Sequence, residues 1–302
     1  MDYKSKKKRN ISVVIPVKGR EKKLLRAIKS IRYQEDVIIE LLIIDDGSKI
    51  PIKEVSEGGA INKVKLIRNG KSMNAAYSRN IGIKKATNSI IGFLDSDDEW
   101  EKNHLKSAIK YIDKYNCFYM GSFRKNKIPR KFKKKLLYIN PYNFLFEGLG
   151  DFRTSTFVIN KDIISEFNAF DESLNKHQDW DLALRICSKY AYFVNPEKTV
   201  NIDNHDDLRM SNNANIEASM IFFNKHRQLM KSKHKLVFFE EIVKKLLLKE
   251  DRFLRKKIFK IIKKNNIKFY KSAKLFIFFL FPSFCNLIFN LRNTFFKFFF
   301  KY

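Results

Sequence analysis

Three carboxylates stand within four residues at the end of an apolar run: IGFLDSDDEW, residues 91–100, carries Asp95, Asp97 and Asp98. Like charges this close repel and raise one another's pKa, so a positive group belongs among them. Carboxylate oxygens suit a hard cation such as Mg2+ or Mn2+, which takes one or two protein carboxylates and fills its shell with water and phosphate oxygens. Taken alone, a DxD is equally a helix N-terminal cap. A second acidic turn, IIDDGS at 43–48, sets Asp45 and Asp46 before a Gly-Ser pair that permits a tight turn. A third acidic segment, HQDWDLALR at 177–185, holds Asp179 and Asp181; on helix grounds alone these are equally the acid-rich first turn that a helix dipole favours.

These groups need a frame that brings them together. From Ile11 to about Phe123, short β-branched runs alternate with amphipathic stretches, the pattern of a parallel sheet covered by helices. ISVVIPV reads as the first strand, and Leu24, Leu25, Ile28 and Ile31 then recur at helical spacing. Val37 to Asp45 is a second strand, Val64 to Ile67 a third and Ser89 to Leu94 a fourth. Ligands of such sheets bind outside the carboxyl ends of the strands, which puts both acidic turns on one rim. Further along, TSTFVIN (154–160) reads as a strand, HQDWDLALRICSKY (177–190) as a helix, and Tyr192 to Asn195 as a short strand. The basic stretch 123–140 reads as a loop between two halves.

Charge narrows the partners. The 302 residues carry 61 Lys and Arg against 32 Asp and Glu, a net charge of +29. Nucleic acid, an anionic membrane surface and a phosphate-bearing substrate all answer that description. Residues 225–274 hold 18 Lys and Arg against four acids and read as basic helix. Residues 275–302 hold 11 of the 29 Phe and no acid, and their longest apolar run is interrupted by Pro282 and too short to span a bilayer. That tail reads as helices lying in a membrane interface, or as a hydrophobic hairpin packed on the body or on a partner. Cys117, Cys187 and Cys285 follow no ligand spacing and read as reduced residues of a cytoplasmic protein. The basic N-terminus runs into a strand and turn and does not read as an export signal.

The ordered set VVIPVKGR, IIDDGS, MNAAYSRNIGIKKA, FLDSDDEW and HQDWDLALR resembles the family 2 glycosyltransferases of bacterial surface polysaccharide and lipooligosaccharide synthesis. The resemblance implies an α/β GT-A fold over 10–214, with a nucleotide-sugar half at 10–123 and an acceptor half at 141–214. A basic helical extension (215–274) and the Phe-rich, membrane-associating tail (275–302) follow. It also implies metal-dependent, inverting transfer from a nucleotide sugar, a UDP-linked hexose or N-acetylhexosamine, to a glycan or lipid-linked hydroxyl.

Site residues carry over one by one. Pro16 and Asp46 are expected to line the base pocket, Arg79 to meet the diphosphate, and Asp95 to lie near the ribose and the metal's waters. Asp97 is expected to ligate Mg2+ or Mn2+, with His205 near the metal or diphosphate. Asp179 matches the catalytic base of the family's (E/Q)DW motif and Trp180 the acceptor platform; Gln178 stands where Glu is frequent. Asp98 reads as a cap of the next helix, outside the chemistry.

Two other classes fit parts of the sequence. A nucleic-acid-binding protein would use the charge, but no zinc-finger or RNP-like signature appears, so no nucleic acid is expected. A sugar nucleotidyltransferase shares the sheet and acidic site, but needs a glycine-rich loop where VKGREKKL has one glycine. The reading therefore favours a peripheral enzyme on the cytoplasmic face of the plasma membrane.

Overall fold

The computed structural model describes residues 8–53, 55–123, 139–203, 216–246, 252–265 and 267. The chain divides into two compact units, Met1–Asp206 and Asp207–Tyr302. The division falls near the expected boundary at 214, within a stretch outside the described residues.

The first unit runs β1 (Arg9–Val17), α1 (Glu21–Arg32), β2 (Val37–Asp45), β3 (Ile61–Arg68), α2 (Ala75–Lys85), β4 (Ile90–Phe93), β5 (Glu99–Trp100) and α3 (His104–Tyr115). It continues with β6 (Phe118–Ser122), α4 (Pro141–Phe146), β7 (Phe157–Asn160), α5 (Lys161–Glu166), α6 (Gln178–Cys187), β8 (Tyr192–Lys198) and β9 (Val200–Asn201). Seven strands form one sheet in the order β3-β2-β1-β4-β7-β6-β8. β1, β2, β3 and β4 run parallel, β7 runs against both its neighbours, and β6 and β8 are parallel to each other. Aliphatic runs such as VIIELLIID are buried on both faces by the flanking helices, which is what a parallel sheet requires.

The strands expected from the sequence are present, with β3 longer than 64–67 and β4 shorter than 89–94. β5 and β9 were illegible: two residues each, they pair Glu99 with Asn201 and Trp100 with Val200 and carry no periodicity. The two expected halves share one sheet, since β6 lies between β7 and β8. Reversal of β7 matters for the site. It starts at the rim where the parallel strands end, so the 3₁₀ turn Thr154–Thr156 before it stands beside the acidic loop.

Strand order reverses between β1 and β4, the switch point where such sheets open a crevice. Pairing of β1 with β4 stops at Val14 and Phe93, while pairing with β2 continues to Val17 and Asp45. Pro16, which has no N–H to donate, sits in that unpaired stretch. On α2, Gly82 lies against Val14; a Cβ there would come within 2.3 Å of the valine Cγ1. The helix therefore lies close on β1, with Arg79 one turn nearer its N-terminus.

The second unit contains α7 (Ile216–His226), α8 (Ser232–Leu246) and α9 (Arg252–Lys264). Phe222 and Phe223 of α7 pack on Phe238 and Phe239 of α8, making a helical hairpin. Arg227 donates to the Asn265 side chain at 3.3 Å, which brings the end of α9 to the hairpin's turn. The described residues of this unit are mainly helical and rich in Lys and Arg. No helix among the described residues is long and apolar enough to cross a membrane. Most of the basic stretch 123–140 and all of the Phe-rich tail lie outside the described residues.

Candidate active site

The rim is built from turns that the strands hand to one another. The Asp46 amide donates to the Val17 carbonyl at 2.8 Å, so β1 and β2 end together. Asp45 folds its own turn by accepting from the Ser48 amide and hydroxyl at 2.9 and 2.5 Å. Asp46 accepts from the Asn69 side chain, the Met73 amide and the Ser72 hydroxyl at 2.9, 2.9 and 2.8 Å. Burial by itself raises its pKa; these donors outweigh it and hold the carboxyl below its ordinary value. Asp46 thus shapes the 69–73 loop at the expected base pocket. Gly47 permits the fold: its φ is +69°, and a Cβ would lie 2.8 Å from the Ser72 nitrogen.

Across the crevice, two arginines reach the acidic loop and a third stands beside it. The guanidinium of Arg79, almost fully buried, donates to Asp95 at 2.6 Å and to the Gln178 carbonyl oxygen at 2.9 Å, over the Phe170 ring. Arg20 donates to Asp97 at 2.8 Å. Arg153 pairs with Asp151 at 2.9 Å.

Asp98 and Asp179 are held by neutral donors. Asp98 accepts from the Ser155 hydroxyl at 2.6 Å and the Asp203 amide at 3.0 Å. Burial, with Asp95 and Asp97 close by, pushes its carboxyl up to about 7. This corrects the expectation of a helix cap: β5 follows it, and Asn103 holds the N-cap position of α3. Asp98 instead ties the start of β7 and the exit of β9 to the loop, because a buried carboxylate must find donors nearby. Asp179, in the first turn of α6, accepts from the Trp180 amide at 2.9 Å. Burial pushes it up to about 6, with Asp151 adding to the rise and Arg153 and Arg79 opposing it.

Trp180 is oriented rather than loose: its indole N–H donates to Asp151 at 3.1 Å and its ring meets Phe146 edge-on. Gln178 donates to the Leu174 carbonyl at 2.5 Å, fixing the amide that accepts from Arg79. Asp181 is fully buried and forked by Arg185, a structural pair. His104 is likewise structural, stacked on Trp100 and lowered to about 3 by burial. His205 lies outside the described residues.

Sequence reasoning gave no role to Arg20, Asp151, Arg153 or Ser155. Asp151 and Arg153 left a faint signal, being the sole charges between Glu147 and Lys161. No group of three His, Cys, Asp or Glu side chains converges as a metal set among the described residues. Asp97 and Asp95, 13% and 36% exposed, nevertheless offer hard oxygen donors at the crevice. That suits a cation held by one or two carboxylates and completed by phosphate, not a cage of protein ligands.

A mostly parallel sheet with a switch-point crevice, an acidic loop after β4 and a carboxylate helix across from it define the GT-A fold. S. aureus TarS residues 1–349 in complex with UDP-GlcNAc shares this fold, with a TM-score of 0.57, 16% identity, and coverage of 80% of this chain and 76% of that one. Residues 12–173, more than half of the chain, match glycosyl transferase family 2, and the chain belongs to that family. The amylovoran biosynthesis glycosyltransferase AmsB of Erwinia amylovora is 30% identical over 194 residues, covering 58% of this chain. The Escherichia coli enzyme WfgD, a UDP-Glc:α-D-GlcNAc-diphosphoundecaprenol β-1,3-glucosyltransferase by name, is 30% identical over 168 residues, covering 52%. The chain spans 63% of the length of each of these two relatives.

Proposed function

We propose that the protein transfers a sugar from a nucleotide sugar to a hydroxyl of a glycan or lipid-linked acceptor, with inversion, in bacterial surface polysaccharide synthesis. The observation that carries this is the chain Asp95–Arg79–Gln178, which fixes the first turn of α6, and so Asp179, against the donor rim. A carboxyl pushed up to about 6 is a competent general base near neutral pH.

In this reading Asp179 takes the acceptor hydroxyl's proton as its oxygen bonds to the anomeric carbon. The bond from that carbon to the diphosphate breaks in line, and the nucleoside diphosphate leaves with the electron pair. A divalent cation, Mg2+ or Mn2+, held by Asp97 with Asp95 nearby, would stabilise the charge gathering on that leaving group. Arg79 supplies a fixed positive charge beside Asp95, Pro16 and Asp46 line the base side, and Trp180 offers its ring to the acceptor. His205 belongs to the diphosphate side by resemblance.

UDP as the nucleotide is supported by the neighbour that carries UDP-GlcNAc, and a diphosphate-lipid acceptor by the name of WfgD. The second unit supports work at an anionic membrane surface. The hairpin turn carries exposed Arg227 and Lys231 with Leu229 between them, 65% exposed, and Lys263 and Lys264 end the adjoining α9. The expected place is the cytoplasmic face of the plasma membrane.

A panel of UDP-sugars scored for UDP release, run with wild type and with Asp97→Ala, tests the reaction. Release confined to the wild type supports it; equal release by both sinks the assignment. Sedimentation with phosphatidylglycerol vesicles, set against phosphatidylcholine vesicles, tests the surface, which fails if the two bind alike.

A further inference from the structure

The turn between β1 and α1 holds a residue that local rules argue against. Arg20 has φ 60° and ψ 38°, in the left-handed region that Gly and Asn adopt far more readily. It occupies the N-cap position of α1 and makes no side-chain cap, where Asn, Asp or Ser would satisfy a free amide. A residue unsuited to its place twice over is kept there by something non-local. Its guanidinium supplies that reason, reaching Asp97 across the switch-point crevice at 2.8 Å, 77 residues away.

The backbone beneath it is fixed. The Arg20 carbonyl accepts from the Lys23 and Leu24 amides at 2.9 and 3.0 Å, and the Gly19 amide donates to the Ser48 hydroxyl at 2.7 Å. The side chain is 35% exposed, so it can turn while the helix start stays still. Arg20 and a divalent cation want the same oxygens: magnesium sits about 2.0–2.1 Å from a carboxylate oxygen, and a guanidinium donating to that carboxylate repels it.

We propose that Arg20 is a donor-binding residue that a divalent cation displaces from Asp97 onto the donor's diphosphate. This rests on the nucleotide-sugar reading of the rim and adds to it a second arginine, opposite Arg79. With a cation on Asp97, a diphosphate entering the crevice would offer its oxygens to a guanidinium anchored at the start of α1. A planar fork suits phosphate oxygens. Arg20 thereby links cation binding to donor binding: it weakens the first alone and strengthens the second.

The test is Arg20→Asn, because Asn suits both the left-handed backbone and the N-cap and should melt no lower than wild type. Mn2+ binding to the protein alone, read by electron paramagnetic resonance, should tighten roughly two- to fivefold, the worth of an exposed ion pair. UDP binding at saturating Mn2+, read by calorimetry, should weaken about tenfold, the loss of a charge-assisted contact. Arg20→Lys should fall between. A merely structural Arg20 would move both affinities the same way or neither, and either result overturns the proposal. If wild type and Asp97→Asn bind Mn2+ and UDP equally poorly, the nucleotide-sugar reading itself fails, and this one with it.

Discussion

Two carboxylates of similar burial, one within the sheet and one in the loop beyond it, are pushed in opposite directions. Glu40 on β2 is 3% exposed and Asp98 beyond β4 is 4% exposed. Glu40 has Lys65 at 2.6 Å and accepts from Ser12, the Thr87 amide and the Thr87 hydroxyl. Burial would raise it, but these partners together hold it down at about 2. Burial raises Asp98 to about 7, and Asp95 and Asp97 add to the rise. Asp179 shares that rise. Burial raises all three carboxylates; in Glu40 Lys65 and the hydrogen-bond donors together outweigh it, and in Asp98 and Asp179 it prevails. Glu40 so held keeps the fold together, Asp98 ties the acidic loop to β7 and β9, and Asp179, raised at the crevice, is a candidate proton acceptor.

The sharpest way to break this comparison is to neutralise one group from each side. Asp179→Asn should lower sugar transfer about 10²–10⁴-fold with the fold intact, as loss of a general base does. Steady-state kinetics beside a circular dichroism spectrum checks both halves. Glu40→Ala should do the reverse, costing about 3 kcal/mol in urea unfolding by leaving Lys65, Ser12 and Thr87 without their shared acceptor. Its activity at low temperature should stay within about twofold; a large loss there would erase the distinction between the two regions.

The pH responses sharpen it further. Asp179 must be ionised to accept a proton, so kcat should fall below about pH 6, where its carboxyl titrates. Gln178→Glu sets a second carboxylate against Arg79 and beside Asp179, and should move that limb upward by roughly half a unit. A limb that stays put would remove Asp179 as the group being read.

Stability should follow the opposite signs. Glu40 titrates lower in the folded chain than its ordinary 4.5, so its contribution is whole above that pH and is lost as pH falls toward 2. Asp179 titrates higher when folded than its ordinary 3.8, so stability declines as pH rises through 4 to 6 and stays reduced above. Asp179→Asn should therefore melt higher than wild type at pH 7.5, by roughly 2–4 °C if the gain is about 1 kcal/mol. Equal melting temperatures would mean that the strain on Asp179 is relieved in solution.

Much of this was written in the sequence, for a local reason. The runs ISVVIPV and VIIELLIID are long, aliphatic and ended by turn formers, so β1, β2 and their parallel pairing follow from burial on both faces. The acidic turns mark the rim because carboxylates set close together repel and do not continue a buried strand, as the single, lysine-paired Glu40 does. The ordered motifs then implied the family, and with it Asp95, Asp97 and Asp179.

What only the tertiary structure decided is which charge meets which. Arg20 reaches Asp97, Arg79 joins Asp95 to Gln178, Arg153 stands by Asp151, and Asp98 is bound by Ser155 because β7 runs backward into the rim. None of these partners is near in sequence except the Asp151–Arg153 pair. Hydrophobic periodicity is a property of consecutive residues and can be read along the chain. Electrostatic pairing is a property of distances in space, and it exists only once the sheet has closed.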